Sequence, residues 1–197
     1  MNNKLLLLSG GMDSIAVAHW KKPKYAVTID YGQKPAKAEI SAAKSVCATL
    51  KIEHFVINAN CSDLGSGDLS DNPQISVGPV SEWWPYRNQL LLTLAAMKAL
   101  HLDVKQLIIG SVSTDSIHVD GTLEFYREIN ELISMQEGNL IVETPAISMT
   151  TTELIKTSKV PYSTLLYAHS CHKSNHPCMH CRGCQKYLYN IQQLELD

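Results

Sequence analysis

Ser9-Gly10-Gly11-Met12-Asp13-Ser14 combines two backbone-permissive glycines with two hydroxyls and a carboxylate, directly after the apolar run Leu5-Leu6-Leu7-Leu8. Glycines let successive amide N–H groups close around an anion, and serine hydroxyls add donors. The helix expected from Asp13 to about Trp20 points its positive end at the same spot. Leu8 through Ser14 therefore reads as a phosphate cradle, without the lysine of a GxxxxGK[ST] loop and without a GxGxxG fingerprint. Ser14 is fit to donate to phosphate, whereas Asp13, an anion, must hold magnesium or the loop amides. A plain strand-to-helix turn is the competing reading. Its position at the end of the first strand of an α/β pattern, where such sheets bind ligands, argues against it.

A second constellation closes the chain. Cys171, Cys178, Cys181 and Cys184 fall within fourteen residues, with one six-residue gap and two two-residue gaps. Four thiolates this close suit a tetrahedral zinc ion, whose closed shell is structural and holds the C-terminal tail against the sheet. A ferredoxin-like iron–sulfur cluster is the rival, and His172, His176 or His180 can replace one cysteine. Cys47 reads as core, and Cys61 carries no reading. Between the two constellations stand Arg87, a site cation or an N-terminal surface charge, and Asp115, a substrate contact or a loop cap.

These residues need a scaffold to bring them together. Strands are expected at the leucine run, at Tyr25 to Asp30 and at Glu53 to Ile57. Between the second and third, Pro35 opens a helix with Ala36, Ile40, Ala43, Cys47 and Leu50 at helical spacing. That alternation marks a parallel sheet with crossover helices. Residues 58–84 are an aperiodic loop, long for an α/β protein and of the kind that is functional or mobile. Gln89 to Leu100 is apolar almost all round, which predicts a fully buried helix. A strand at Leu107 to Gly110, a helix from Leu123 to Gln136 and a strand at Leu140 to Glu143 follow. Thr150 and Glu153 have the spacing of a capping box and start one more helix. The expected division is a nucleotide-binding unit over 1–160 and a metal-binding element over 161–197.

Composition narrows the classes. With 197 residues, 45% of them hydrophobic, the chain can bury a core without disulfides. A net charge of −2 gives no broad basic surface for nucleic acid. The apolar run at the N-terminus is too short for a secretory segment, and no run is long enough to cross a membrane. A cytoplasmic location is expected, which favours metal over disulfides for the clustered cysteines.

SGGMDS is similar to the pyrophosphate loop of the N-type ATP pyrophosphatases. Together with Tyr31-Gly32-Gln33 and Glu39, Arg87-Asn88, Gly110 with Asp115, Thr144-Pro145, Ser170-Cys171 and the terminal CxxCxxC, it resembles the 7-cyano-7-deazaguanine synthases of the queuosine pathway. The resemblance implies a Rossmann-like parallel sheet with a zinc-stapled tail, and a homodimer. It also implies an ATP- and magnesium-dependent ligase that adenylates the carboxylate of 7-carboxy-7-deazaguanine for attack by ammonia. Residues Leu8, Ser9, Gly10, Gly11, Met12, Asp13 and Ser14 would hold the ATP phosphates, with Asp30, Tyr31, Gln33 and Glu39 beside the nucleotide. Arg87 and Asn88 would open the substrate-side helix. Asp13, Ser14, Arg87 and Asp115 would carry the chemistry.

The departures lie on the substrate side. Tyr86 stands where the resemblance expects glycine, and with the loop at 58–84 it is expected to reshape the acceptor side. Val119-Asp120-Gly121-Thr122 replaces a Tyr-Pro-Asp-Cys-Arg segment, Thr151 stands for a lysine, and His169 for a tryptophan. Such changes leave room for a relative, of the kind found among bacterial defence genes, that stops at the amide or transfers the acyl group to a protein amine. Two other readings are a tRNA-thiolase type of enzyme, lacking here an evident basic RNA surface, and a non-catalytic nucleotide-binding zinc module.

Overall fold

The computed structural model describes residues 2–195. Five parallel strands form one sheet: β1 (Asn2–Leu7), β2 (Pro23–Asp30), β3 (Glu53–Asn58), β4 (Gln106–Ile109) and β5 (Ile141–Glu143), in the order β3-β2-β1-β4-β5. The helices are α1 (Met12–Lys21), α2 (Ala36–Leu50), α3 (Arg87–His101), α4 (Leu123–Ser134), α5 (Thr151–Ser158), α6 (Tyr162–Leu165) and α7 (Arg182–Glu195).

The leucine run is continuous because its strand is central and covered on both faces. Side chains alternate across the sheet, so Leu6 and Leu8 pack with Ile15, Ala16, Ala43, Val46, Leu154 and Ile155 of α1, α2 and α5. Leu5 and Leu7 face the other way, onto Leu92, Ala95 and Ala99 of α3 and Ile129 and Ile133 of α4. Each fully buried leucine contributes about 1.5–3 kcal/mol, so truncating one in β1 would weaken the sheet at its centre. Helix α1 ends where Lys22 turns left-handed, its N–H donating to the Ala18 carbonyl, with Pro23 starting the next strand.

The strand order places the functional loops. From β1 the chain moves outward through β2 and β3, then returns to pair β4 on the other side of β1. The crevice beyond the C-terminal ends of β1 and β4 is thus the switch point at which open α/β sheets bind ligands.

One expectation fails. Helix α3 is not buried all round: only Leu92, Ala95 and Ala99 are fully buried, while Met97 and Leu100 are exposed. Its apolar composition exceeds the single face that the sheet can cover. Residues 58–84 do form an irregular loop, with two short 3-10 turns at Ser62–Leu64 and Gly67–Leu69. Trp84 anchors its end, buried edge-on against Tyr31 with ring centroids 4.9 Å apart.

Candidate active site

The crevice opens into a cavity of about 840 Å³, at the upper end of the ~300–1,000 Å³ usual for small-molecule sites. On its sheet side lie Leu8, Ser9, Gly11, Met12, Asp13 and Ser14. Gly10 makes the turn possible: its φ is +79°, and a Cβ there would stand 2.6 Å from the Glu39 carbonyl oxygen. Gly110 lets β4 pass the start of α1, since its Cβ would stand 2.9 Å from Ser14 Cα. The Ser14 hydroxyl donates to the Gly11 carbonyl at 2.9 Å and meets the Ser9 hydroxyl at 3.2 Å.

Tyr31, Glu39, Arg87, Asn88 and Asp115 line the same cavity. Burial pushes the Glu39 carboxyl up to about 7, against the lowering pull of the Gln33 amide and Arg87. Burial also works against the Arg87 charge, but Tyr31, Asp120 and Glu39 outweigh it and hold the guanidinium cationic. Asn88 is fixed from both sides, its backbone N–H donating to Asp120 Oδ2 at 3.1 Å and its side chain to the Asp120 carbonyl at 2.8 Å.

Gly10, Asp30 and Gln33 are not on the cavity wall. Gln33 is buried behind it, accepting from the Tyr31 N–H at 2.9 Å and donating to Glu39 Oε2 at 2.7 Å. Asp30 caps the adjoining turn by accepting from the Gly32 N–H at 3.0 Å. Tyr86 also misses the cavity. It holds φ +53°, a conformation that glycine adopts freely, and turns its ring to solvent with 78% of the residue exposed. The expected bulk therefore lies outside the cavity.

The C-terminal tail supplies what the sequence reading omitted. Arg182, Lys186 and Asn190 of α7 line the cavity at helical spacing, joined by Thr151, His169, His172 and Glu82. Lys186 Nζ lies 2.9 Å from Asp13 Oδ2 and 3.4 Å from Asp115 Oδ1. Burial raises the Asp13 carboxyl pKa, and Lys186 opposes that shift. Its second oxygen, Oδ1, is buried without a hydrogen-bond partner among the described residues. The Thr151 hydroxyl stands next to this carboxylate without meeting hydrogen-bond geometry. A carboxylate oxygen left free on a cavity wall fits a divalent cation such as magnesium.

The tail reaches the crevice across the phosphate loop, where the His169 N–H donates to the Gly10 carbonyl at 3.0 Å. It is gathered by Cys171, Cys178, Cys181 and Cys184, whose sulfurs all lie within 4.8 Å of one another. The Cys178–Cys184 and Cys171–Cys181 pairs stand 3.9 and 4.0 Å apart. One ion bound at ~2.3 Å by four tetrahedral sulfurs separates them by about 3.8 Å, so the group fits a metal. Backbone N–H groups of Cys181 and Cys184 already point at the sulfurs of Cys178 and Cys181. The His180 backbone N–H above all, joined by that of Cys181, pulls the Cys178 thiol down to about 6.

A family model described as queuosine biosynthesis protein QueC matches residues 3–193. The chain belongs to that family. Among curated QueC relatives, the 7-cyano-7-deazaguanine synthase of Methanocaldococcus jannaschii is 28% identical, over 93% of this chain and 90% of the relative. That of Chloroherpeton thalassium is 30% identical, over 96% and 92%. Among solved structures, the U34-tRNA thiolase NcsA from Methanococcus maripaludis, with its [4Fe-4S] cluster, matches at 17% identity and a TM-score of 0.52. The match covers 99% of this chain and 66% of the thiolase, and at that identity the likeness shows the fold alone. Among the described residues, no helix is long and apolar enough to cross a membrane.

Proposed function

We propose that this chain is an ATP-dependent carbon–nitrogen ligase that activates the carboxylate of 7-carboxy-7-deazaguanine for attack by ammonia. The supporting observation is that one cavity is lined both by the glycine-serine loop and by Arg87, Asn88 and Asp115. In the reaction, a carboxylate oxygen attacks the α-phosphorus of ATP, the bond to the bridging oxygen breaks, and pyrophosphate leaves. Ammonia then attacks the acyl carbon, AMP departs and a proton passes to solvent, giving the amide. A second activation, on the amide oxygen, would give the nitrile for which the relatives are named. In this reading the loop amides and Ser14 meet phosphate charge, and Arg87 orients the acid.

For the cysteine centre the reading is zinc. Separations of 3.9 and 4.0 Å suit one ion between four sulfurs. A four-iron cube would interpose its irons and spread the sulfurs further. The test of the ligase reading is release of AMP and pyrophosphate that depends on both 7-carboxy-7-deazaguanine and ammonium.

A further inference from the structure

We propose that Lys186 is the cation that meets the β- and γ-phosphates of ATP, delivered to the phosphate loop by the cysteine-anchored helix α7. Residues 8–14 contain no lysine or arginine, so the cradle brings no charge of its own to a triphosphate. Three lysine or arginine side chains line the cavity among the described residues: Arg87, Arg182 and Lys186. Arg87 lies beside Tyr31 and Glu39, and Arg182 is bound to Glu82 at 2.9 Å. Lys186 alone stands on the loop, 2.9 Å from Asp13.

Its placement is fixed by the helix that carries it. Cys181 and Cys184 bracket the start of α7, and Lys186 follows half a turn after Cys184. One turn further on, Asn190 donates to the Lys186 carbonyl at 2.7 Å and accepts from the Thr152 hydroxyl of α5 at 2.9 Å. The ammonium is thus aimed before nucleotide binds, and a preorganised charge costs little to orient when pyrophosphate departs. An anionic triphosphate arriving with its own divalent ion would exchange partners with the two carboxylates that now hold the lysine.

The inference rests on the ATP-dependent reading, so its test separates the two. Titration calorimetry of the metal-loaded wild type, Lys186→Met and Lys186→Arg compares MgATP with AMP, which lacks the outer phosphates. Metal content and thermal midpoint confirm the fold of each. Lys186→Met should bind MgATP at least about fivefold more weakly than wild type with AMP affinity unchanged, and Lys186→Arg should retain most of the MgATP preference. Equal MgATP affinity in Lys186→Met and wild type, or equal losses for MgATP and AMP, would overturn the assignment. Should the wild type bind MgATP without acid-dependent pyrophosphate release, the ligase reading fails while this comparison still decides the role of Lys186. Wild type that binds neither nucleotide refutes both.

Discussion

Arg182 Nη1 lies 2.9 Å from Glu82 Oε1, tying the first residue of α7 to the end of the long loop one hundred positions earlier. Glu82 is 5% exposed, whereas the Arg182 side chain is 44% exposed, so the pair joins a buried acid to a half-open cation.

That asymmetry makes the two truncations unequal. Arg182→Met leaves a buried carboxylate without its charge partner and should cost about 1–3 kcal/mol. Adding Glu82→Gln should recover part of the loss, because a neutral amide tolerates burial better. Urea unfolding of the single and double variants checks this; strictly additive losses would mean the contact carries no coupling.

Glu39 predicts a pH dependence with a definite sign. Its folded pKa of about 7 exceeds the ordinary carboxyl value of 4.5 because burial favours the neutral form, so the fold binds this proton more tightly than the unfolded chain. The stabilisation is complete below the unfolded value and is lost as pH rises through about 7. The stability of wild type minus that of Glu39→Gln should therefore fall by about 1–3 kcal/mol from pH 5 to pH 8. Wild-type stability that holds constant or rises relative to Glu39→Gln over that range would place a charged carboxylate at this position.

Metal removal should act on the site as well as on the tail. The purified protein is expected to be colourless with one zinc per chain. Stripping it should speed hydrogen exchange in α7 while β1 and β4 stay protected. Because Arg182, Lys186 and Asn190 sit on that helix, MgATP affinity should fall with it. A brown protein carrying iron and sulfide would refute the zinc reading.

The sequence made the turn between β1 and α1 legible because its determinants are local: strand, glycine turn and helix start lie within ten residues. The capping box was legible for the same reason, with Glu153 Oε2 accepting from the Thr150 N–H at 2.7 Å. Lys186 was not, since it meets Asp13 across 173 residues and only the folded tail brings them together. Its signal was the helix after the cysteines, where Arg182, Lys186 and Asn190 share one face. Reading the cysteines as a separate knot hid that face. Helix α3 misled in the opposite way: apolar residues at positions such as Met97 and Leu100 say nothing about which side the sheet will cover. Tyr86 shows that a bulky residue can hold a left-handed backbone, φ +53°, and direct its ring to solvent, away from the cavity.

Mass spectrometry of a reaction containing the metal-loaded protein, MgATP, ammonium and 7-carboxy-7-deazaguanine tests the central claim most directly, with AMP and pyrophosphate quantified in parallel. The account predicts conversion of the acid to its amide or nitrile, with AMP and pyrophosphate formed in equal amounts and only when the acid is present. An unchanged acid, or ATP cleavage indifferent to it, would contradict the ligase reading.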